Sequence, residues 1–250
     1  MVTKLIKKTQ VARETMSFYF EKPTGFDFKA GQSIDLTLTN PPKTDTKGNT
    51  RPFSLASAPS EPNLMITTRM RESAFKNNLK QMAIGTEVQI EGPFGSMTLH
   101  SNSNNPAVIL AGGIGITPFR SIVLQATYEK LPHKILLFYS NRRPQDAAFL
   151  EELEKLQAIN NHYHLVATMT QFPEWPGPIG NIPDLQAGIS NGASEKDYIN
   201  KEMIKKYVHD TSLPIYYIAG PVKMVKALYD LLIKIGADPD SIRFEEFSGY

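Results

Sequence analysis

Val108-Ile109-Leu110-Ala111-Gly112-Gly113-Ile114-Gly115-Ile116-Thr117-Pro118 is the stretch whose reading decides the fold. An apolar run, an open glycine turn and a hydroxyl–proline pair follow one another, which predicts a buried strand, a loop and a helix start. Glycines let backbone approach a ligand closely, and a helix start offers free N–H groups and a positive dipole end to a phosphate. Thr117 can cap that helix and Pro118 suits its first turn. The loop stops short of a full G-x-G-x-x-G, because Pro118 stands where the third glycine belongs. The next strand ends on Ser140-Asn141-Arg142-Arg143 rather than on an acidic residue. Taken alone, the stretch reads as a nucleotide loop or as a tight strand-to-helix turn.

Downstream, Ile135–Tyr139, His164–Ala167 and Ile215–Ile218 are further apolar runs of strand length, and Ile242–Phe247 reads as a fifth strand closing the chain. Between them Phe149, Leu150, Leu153 and Leu156 form one helical stripe, and Val225, Leu228, Leu232 and Ile235 another. Strands apolar on both faces and separated by helices predict a doubly wound, five-stranded parallel α/β sheet. Upstream the period changes to two: Ile34–Leu38, Leu64–Thr67 and Val88–Ile90 alternate apolar and polar residues between Gly and Pro punctuation. That half reads as a small antiparallel β-barrel, with one helix near Ser73–Met82 whose Phe75, Leu79 and Met82 share a face. Polar Ser101–Pro106 marks the change, so the expected organisation is α+β with two domains, 1–100 and 101–250.

Composition narrows the function classes. The 250 residues carry 27 Lys and Arg against 25 acidic groups, too balanced to mark a nucleic-acid or membrane-surface binder by charge. No run approaches the ~18 apolar residues of a membrane span, and Met1–Glu14 does not read as a signal peptide, so a cytoplasmic location is expected. With no cysteine there is no disulfide, cysteine nucleophile or Cys-ligated zinc or iron–sulfur cluster. His162 and His164 alternate on one expected strand face, as a metal pair or, more simply, as a hydrogen-bonded pair; no metal site is expected. Neither a G-x-S-x-G elbow nor a P-loop is present.

A second segment, Arg51-Pro52-Phe53-Ser54-Leu55-Ala56-Ser57, alternates an arginine, an aromatic and a hydroxyl. In extended chain it can offer a guanidinium to a phosphate, a ring for stacking and a hydroxyl for a heterocycle; the plainer alternative is an edge strand. With Arg51–Ser54 and Gly112–Pro118 in this order, the sequence resembles the ferredoxin–NADP reductase superfamily, whose Arg-x-Tyr/Phe-Ser motif lies on a flavin-binding barrel and whose Gly-Gly-x-Gly-x-Thr-Pro loop opens a nucleotide domain. Ala30-Gly31-Gln32, Glu91-Gly92-Pro93-Phe94-Gly95 and Ala219-Gly220-Pro221 extend the likeness over nearly the whole chain.

The resemblance implies FAD held by Arg51, Pro52, Phe53 and Ser54, with its pyrophosphate near Thr68, Arg69, Ser73, Ala74, Phe75 and Lys76. Relatives usually have Ser or Thr where Lys76 stands. It implies a nicotinamide dinucleotide in the cleft between domains at Gly112, Gly113, Gly115, Ile116, Thr117 and Pro118, with Asn141, Arg142, Ala219, Gly220 and Pro221 contributing. Ser54, Thr117 and Glu245 are the expected catalytic residues, and Phe247 or Tyr250 covers the flavin face. Ala219 replaces a common cysteine, and Phe53 a common tyrosine. Ala167–Thr170 and Gly180-Asn181-Ile182 lack the arginine that usually meets the 2′-phosphate, which tilts the expectation to NADH over NADPH; Arg142, Arg143 and Lys201 are the cations left for that task. The expected activity is a stand-alone FAD-dependent NAD(P)H reductase that passes hydride to flavin and electrons to a separate protein or small-molecule acceptor. The alternatives are a non-catalytic flavin- or nucleotide-binding subunit gated by its aromatic tail, and a flavin-free dinucleotide enzyme.

Overall fold

The computed structural model describes residues 1–172 and 198–247. These fall into two units, residues 1–98 with 117–125, and residues 99–116 with the chain from Ala126 onward. In the first, β1 (Val2–Ala12), β2 (Thr15–Glu21), β3 (Ser33–Leu38), β4 (Thr50–Ser54) and β5 (Asn63–Arg69) precede α1 (Ala74–Gln81) and β6 (Glu87–Phe94). They form one antiparallel sheet ordered β4-β3-β6-β1-β2-β5. A bridge from Leu55 to Ile66, and the Ala56 N–H donated to the Met65 carbonyl at 2.8 Å, join the two edges into a barrel.

The expected alternation in β3, β5 and β6 puts Ile34, Leu36, Leu64, Ile66, Val88 and Ile90 in the barrel core. The first two strands escape a period-two reading for a physical reason. The register of β1 against β2 shifts between Leu5 and Lys7, so the lysine-rich strand keeps no single face. In β2, Phe18 and Phe20 enter the core while Ser17 is buried by its 2.7 Å bond to Thr67 Oγ1 on β5. The helix α1 starts where Ser73 accepts the Lys76 N–H, and it seals the core with Phe75 and Leu79.

The second unit holds β7 (Ala107–Gly112), β8 (Ile135–Asn141), α3 (Leu150–Ile159), β9 (Tyr163–Met169), α4 (Lys201–Tyr207), β10 (Ile215–Pro221), α5 (Val222–Lys234) and β11 (Ile242–Phe247), and α2 (Thr117–Tyr128) follows β7 in the chain. The five strands are all parallel, in the order β11-β10-β7-β8-β9. The chain enters at the central β7, winds outward over β8 and β9, then returns to β10, so the topological switch point lies between β7 and β10. One local reading is corrected, and one helix was not read at all. Phe149 stands in left-handed conformation at φ 62° ahead of α3, outside its helical stripe. The short α4, capped by Asn200, had no legible stripe because seven residues are too few to show one.

Candidate functional site

On β4, Arg51 and Phe53 do share a face, and both meet α1. The Arg51 guanidinium lies 5.2 Å from the Phe75 ring, and the Phe53 ring centroid is 5.8 Å from that of Phe75. Pro52 points outward between them, and Ser54 ends the strand. The Ser54 hydroxyl is buried and has no hydrogen-bond partner. A buried hydroxyl without a partner costs on the order of 1–3 kcal/mol, so its position calls for a polar group from elsewhere.

Arg51 is already engaged. Its Nη1 donates to the carbonyls of Lys47, Gly48 and Thr50 at 2.7, 2.9 and 2.8 Å, and its Nη2 donates to Asp45 Oδ1 at 2.8 Å. Nothing in the spacing of the Pro-, Gly- and Thr-rich loop 41–50 singled out Asp45. Partial desolvation opposes ionisation of this carboxyl, but the Lys47 N–H, the Arg51 guanidinium and the Ala74 N–H outweigh it and hold the pKa below the usual aspartate value.

A cationic cluster flanks the start of α1. Lys76 Nζ donates to the Arg69 carbonyl at 2.7 Å; burial, Arg71 and Arg69 together depress its pKa. A lysine whose charge is disfavoured by two arginines is a place for an anion. Arg69 pairs with Glu14 at 3.7 Å while its Nε is buried and unbonded. Thr68 is buried beside it, and Ser73 is committed as the helix cap rather than free.

The glycine loop also meets a packing need within its own unit. A side chain on Gly115 would collide with the Ala219 carbonyl, and one on Gly112 with the Met224 thioether, so these glycines serve backbone packing against β10 and α5. A Cβ on Gly220 would lie 3.3 Å from the Gly112 backbone, a tight contact but not a collision. Gly113 alone of the three takes a positive φ, 51°, opening the 3₁₀ turn Gly113–Ile116. That turn runs directly into α2, which places Thr117 within the helical run, ahead of Pro118, rather than outside it as a cap.

Further along the carboxyl ends of the parallel strands, Asn141 Nδ2 and Thr168 Oγ1 are buried without partners, and Arg142 is exposed just beyond. Ala219, Gly220 and Pro221 end β10, in register with Glu245, Glu246 and Phe247 of β11. Glu245 and Phe247 share the half-buried face of that strand, and Phe244 turns the other way onto Tyr229. Tyr250, Ser248, Gly249 and the Gly180-Asn181-Ile182 segment lie outside the described residues.

Two features escaped the sequence. Arg120 of α2, one turn past Thr117, makes a two-pronged ion pair with Glu61 at 2.8 and 3.1 Å and bonds the Ala56 carbonyl at 2.7 Å; Ser121 donates to the Ser57 carbonyl at 2.7 Å. Both hold the chain that follows Ser54. The second is His100, which shares two bonds with the Tyr217 hydroxyl and one with the Asn105 carbonyl. The supposed His162–His164 pair dissolves: His162 is exposed in the turn before β9 and His164 is buried within it. Among the described residues no group of three His, Asp or Glu gathers as a metal site.

A barrel bearing Arg51–Ser54 and a parallel sheet opened by a glycine loop are the two folded parts that carry the candidate residues. The family model for an oxidoreductase FAD-binding domain matches residues 2–99, and that for an oxidoreductase NAD-binding domain matches 109–230. The chain belongs to the ferredoxin–NADP reductase superfamily. It is 26% identical over 232 residues to the reductase component of propane 2-monooxygenase from Rhodococcus jostii, covering 91% of this chain and 57% of that protein. Its fold matches the flavohem-like FAD/NAD-binding domain of nitric oxide dioxygenase from Vibrio cholerae with a TM-score of 0.80 at 17% identity, covering 98% of each chain. It also matches a ferredoxin–NADP⁺ reductase from Neisseria gonorrhoeae, with a TM-score of 0.76 at 19% identity and 98% of each chain. The chain spans about three fifths of the length of curated relatives that it matches. Among the described residues no helix is long and apolar enough to cross a membrane.

Proposed function

We propose that the chain is an FAD-dependent NAD(P)H reductase that delivers electrons to a separate acceptor. The observation that carries the reading is the buried, unpartnered Ser54 hydroxyl at the end of Arg51-Pro52-Phe53-Ser54. The residues fit both cofactors: an orphaned hydroxyl and a cationic cluster for FAD, and buried Asn141 and Thr168 groups without partners beyond the glycine loop for the dinucleotide. When bound, these groups supply the redox chemistry, two-electron transfer from nicotinamide to flavin.

In this reading the protein binds and orients. Arg51, with Arg69, Ser73, Ala74 and Lys76 about the start of α1, holds the FAD phosphates; Phe53 supplies the stacking ring, and Pro52, Thr68 and Phe75 are the further FAD-site residues proposed. Ser54 donates a hydrogen bond to the flavin ring. Gly112–Pro118 receives the dinucleotide phosphates, Asn141 and Arg142 its adenosine side, and Ala219-Gly220-Pro221 its nicotinamide side. Thr117 and Glu245 are proposed as the other catalytic residues and Phe247 as a further cofactor-binding residue. Residues 1–100 form the FAD domain and 101–250 the nucleotide domain. NADH is the preferred donor, because β9 ends on Thr168-Met169, which offers no guanidinium fork to a 2′-phosphate. The acceptor is an oxygenase component or another soluble electron carrier, as the name of the propane 2-monooxygenase relative suggests, and the location is cytoplasmic.

Ser54→Ala tests this. One hydrogen bond of ~1–1.5 kcal/mol corresponds to a flavin reduction about tenfold slower in anaerobic stopped flow, with FAD still bound. An unchanged rate removes Ser54 from the mechanism.

A further inference from the structure

We propose that Asp45 is an internal occupant of the flavin pyrophosphate site, and that the segment from Lys43 to Thr50 is a strap which must release Arg51 before FAD binds. The proposal rests on the flavin reading above and adds a competitor to it.

The donors that would meet a pyrophosphate are already used by this chain. Arg51 spends Nη1 on three strap carbonyls and Nη2 on Asp45. The Ala74 N–H, first of α1, bonds the Asp45 carboxylate, and the Lys76 N–H goes to the Ser73 hydroxyl. The strap is pinned at its other end by Asn78 Nδ2, which donates to the Lys43 carbonyl at 2.6 Å, and it is closed on itself by the Lys47 N–H on Asp45 at 2.9 Å. A carboxylate bridging a guanidinium and a helix N-terminus copies the contacts of a phosphate. Two anions on one set of donors repel, so carboxylate and pyrophosphate exclude one another there. Lys76, with Arg71 and Arg69 close enough to disfavour its charge, stands two residues past Ala74 at the start of α1, and this positive cluster attracts the incoming anion even though Arg69 is partly offset by Glu14. The device lets the apoprotein keep a buried-edge arginine satisfied and makes flavin loading depend on opening the strap.

The test uses the full chain stripped of flavin. FAD titrated into Asp45→Asn, followed by quenching of flavin fluorescence, binds about tenfold more tightly than into wild type, since one charge-assisted competitor is removed. Weaker or equal binding by the variant overturns the proposal. Trypsin supplies a second readout at Lys47: FAD, or inorganic pyrophosphate alone, speeds cleavage in wild type, whereas Asp45→Asn is cut fast without either. Protection of Lys47 by FAD, or no effect of either anion, contradicts the strap. Faster cleavage with pyrophosphate in a protein that binds no FAD would uphold the strap and overturn the flavin reading.

Discussion

At the scale of single residues, Arg51, Phe53 and Ser54 were legible because alternation along an extended segment fixes which of them share a face, and β4 keeps that alternation. Arg51→Ala is expected to weaken FAD binding by about 10–100-fold, the loss of one or two charge-assisted contacts, read by equilibrium titration of the apoprotein. Unchanged affinity would remove Arg51 from the flavin site. What could not be read was the company these residues keep. Asp45 sits six positions before Arg51 in a loop whose composition says only that it turns, and it is the loop's return onto α1 that brings the carboxylate to the guanidinium. Arg120 and Glu61 are likewise ordinary surface residues in sequence, and only the fold makes them a two-pronged pair.

At the scale of elements, β7, β8, β9 and β10 were readable since burial on both faces leaves an apolar run, whereas the edge strand β11 carries charges and β1 and β2 were not legible. A register shift and a lysine-rich edge hide the first, and the buried Ser17–Thr67 bond breaks the apolar pattern of the second. The glycine loop carries the sharper lesson. Besides the ligand role the sequence suggests, two of its glycines make room for the protein's own backbone and side chains. That packing is measurable. Gly115→Ala sets a methyl against the Ala219 carbonyl and the Gly220 N–H, which cannot move aside, and should cost about 3 kcal/mol of stability in urea unfolding. Gly112→Ala meets mainly the flexible end of Met224 and should cost about 1 kcal/mol. Equal costs would mean that the loop does not pack on β10 as described.

For the whole molecule, burial holds His100 and His164 below the usual histidine pKa, against the Asn105 bond that favours the charged form of His100. The unfolded chain takes up those protons near pH 6.5, and the folded chain resists them. Stability therefore rises with pH across the window just below 6.5 and falls on acidification, with a linkage of up to two protons. Urea unfolding at pH 7 and at pH 5.5 reads this directly, and His164→Asn should remove part of the slope; a stability that is flat or greater at pH 5.5 would contradict it. The central claim is that barrel and parallel sheet serve one electron path, from a nicotinamide donor through FAD. An anaerobic visible spectrum of the FAD-loaded protein, taken before and after NADH and then NADPH, tests it most directly. The account predicts flavin bands that bleach within seconds, faster with NADH. Bands that persist with both donors would contradict a reductase and leave a flavoprotein that only binds its nucleotide.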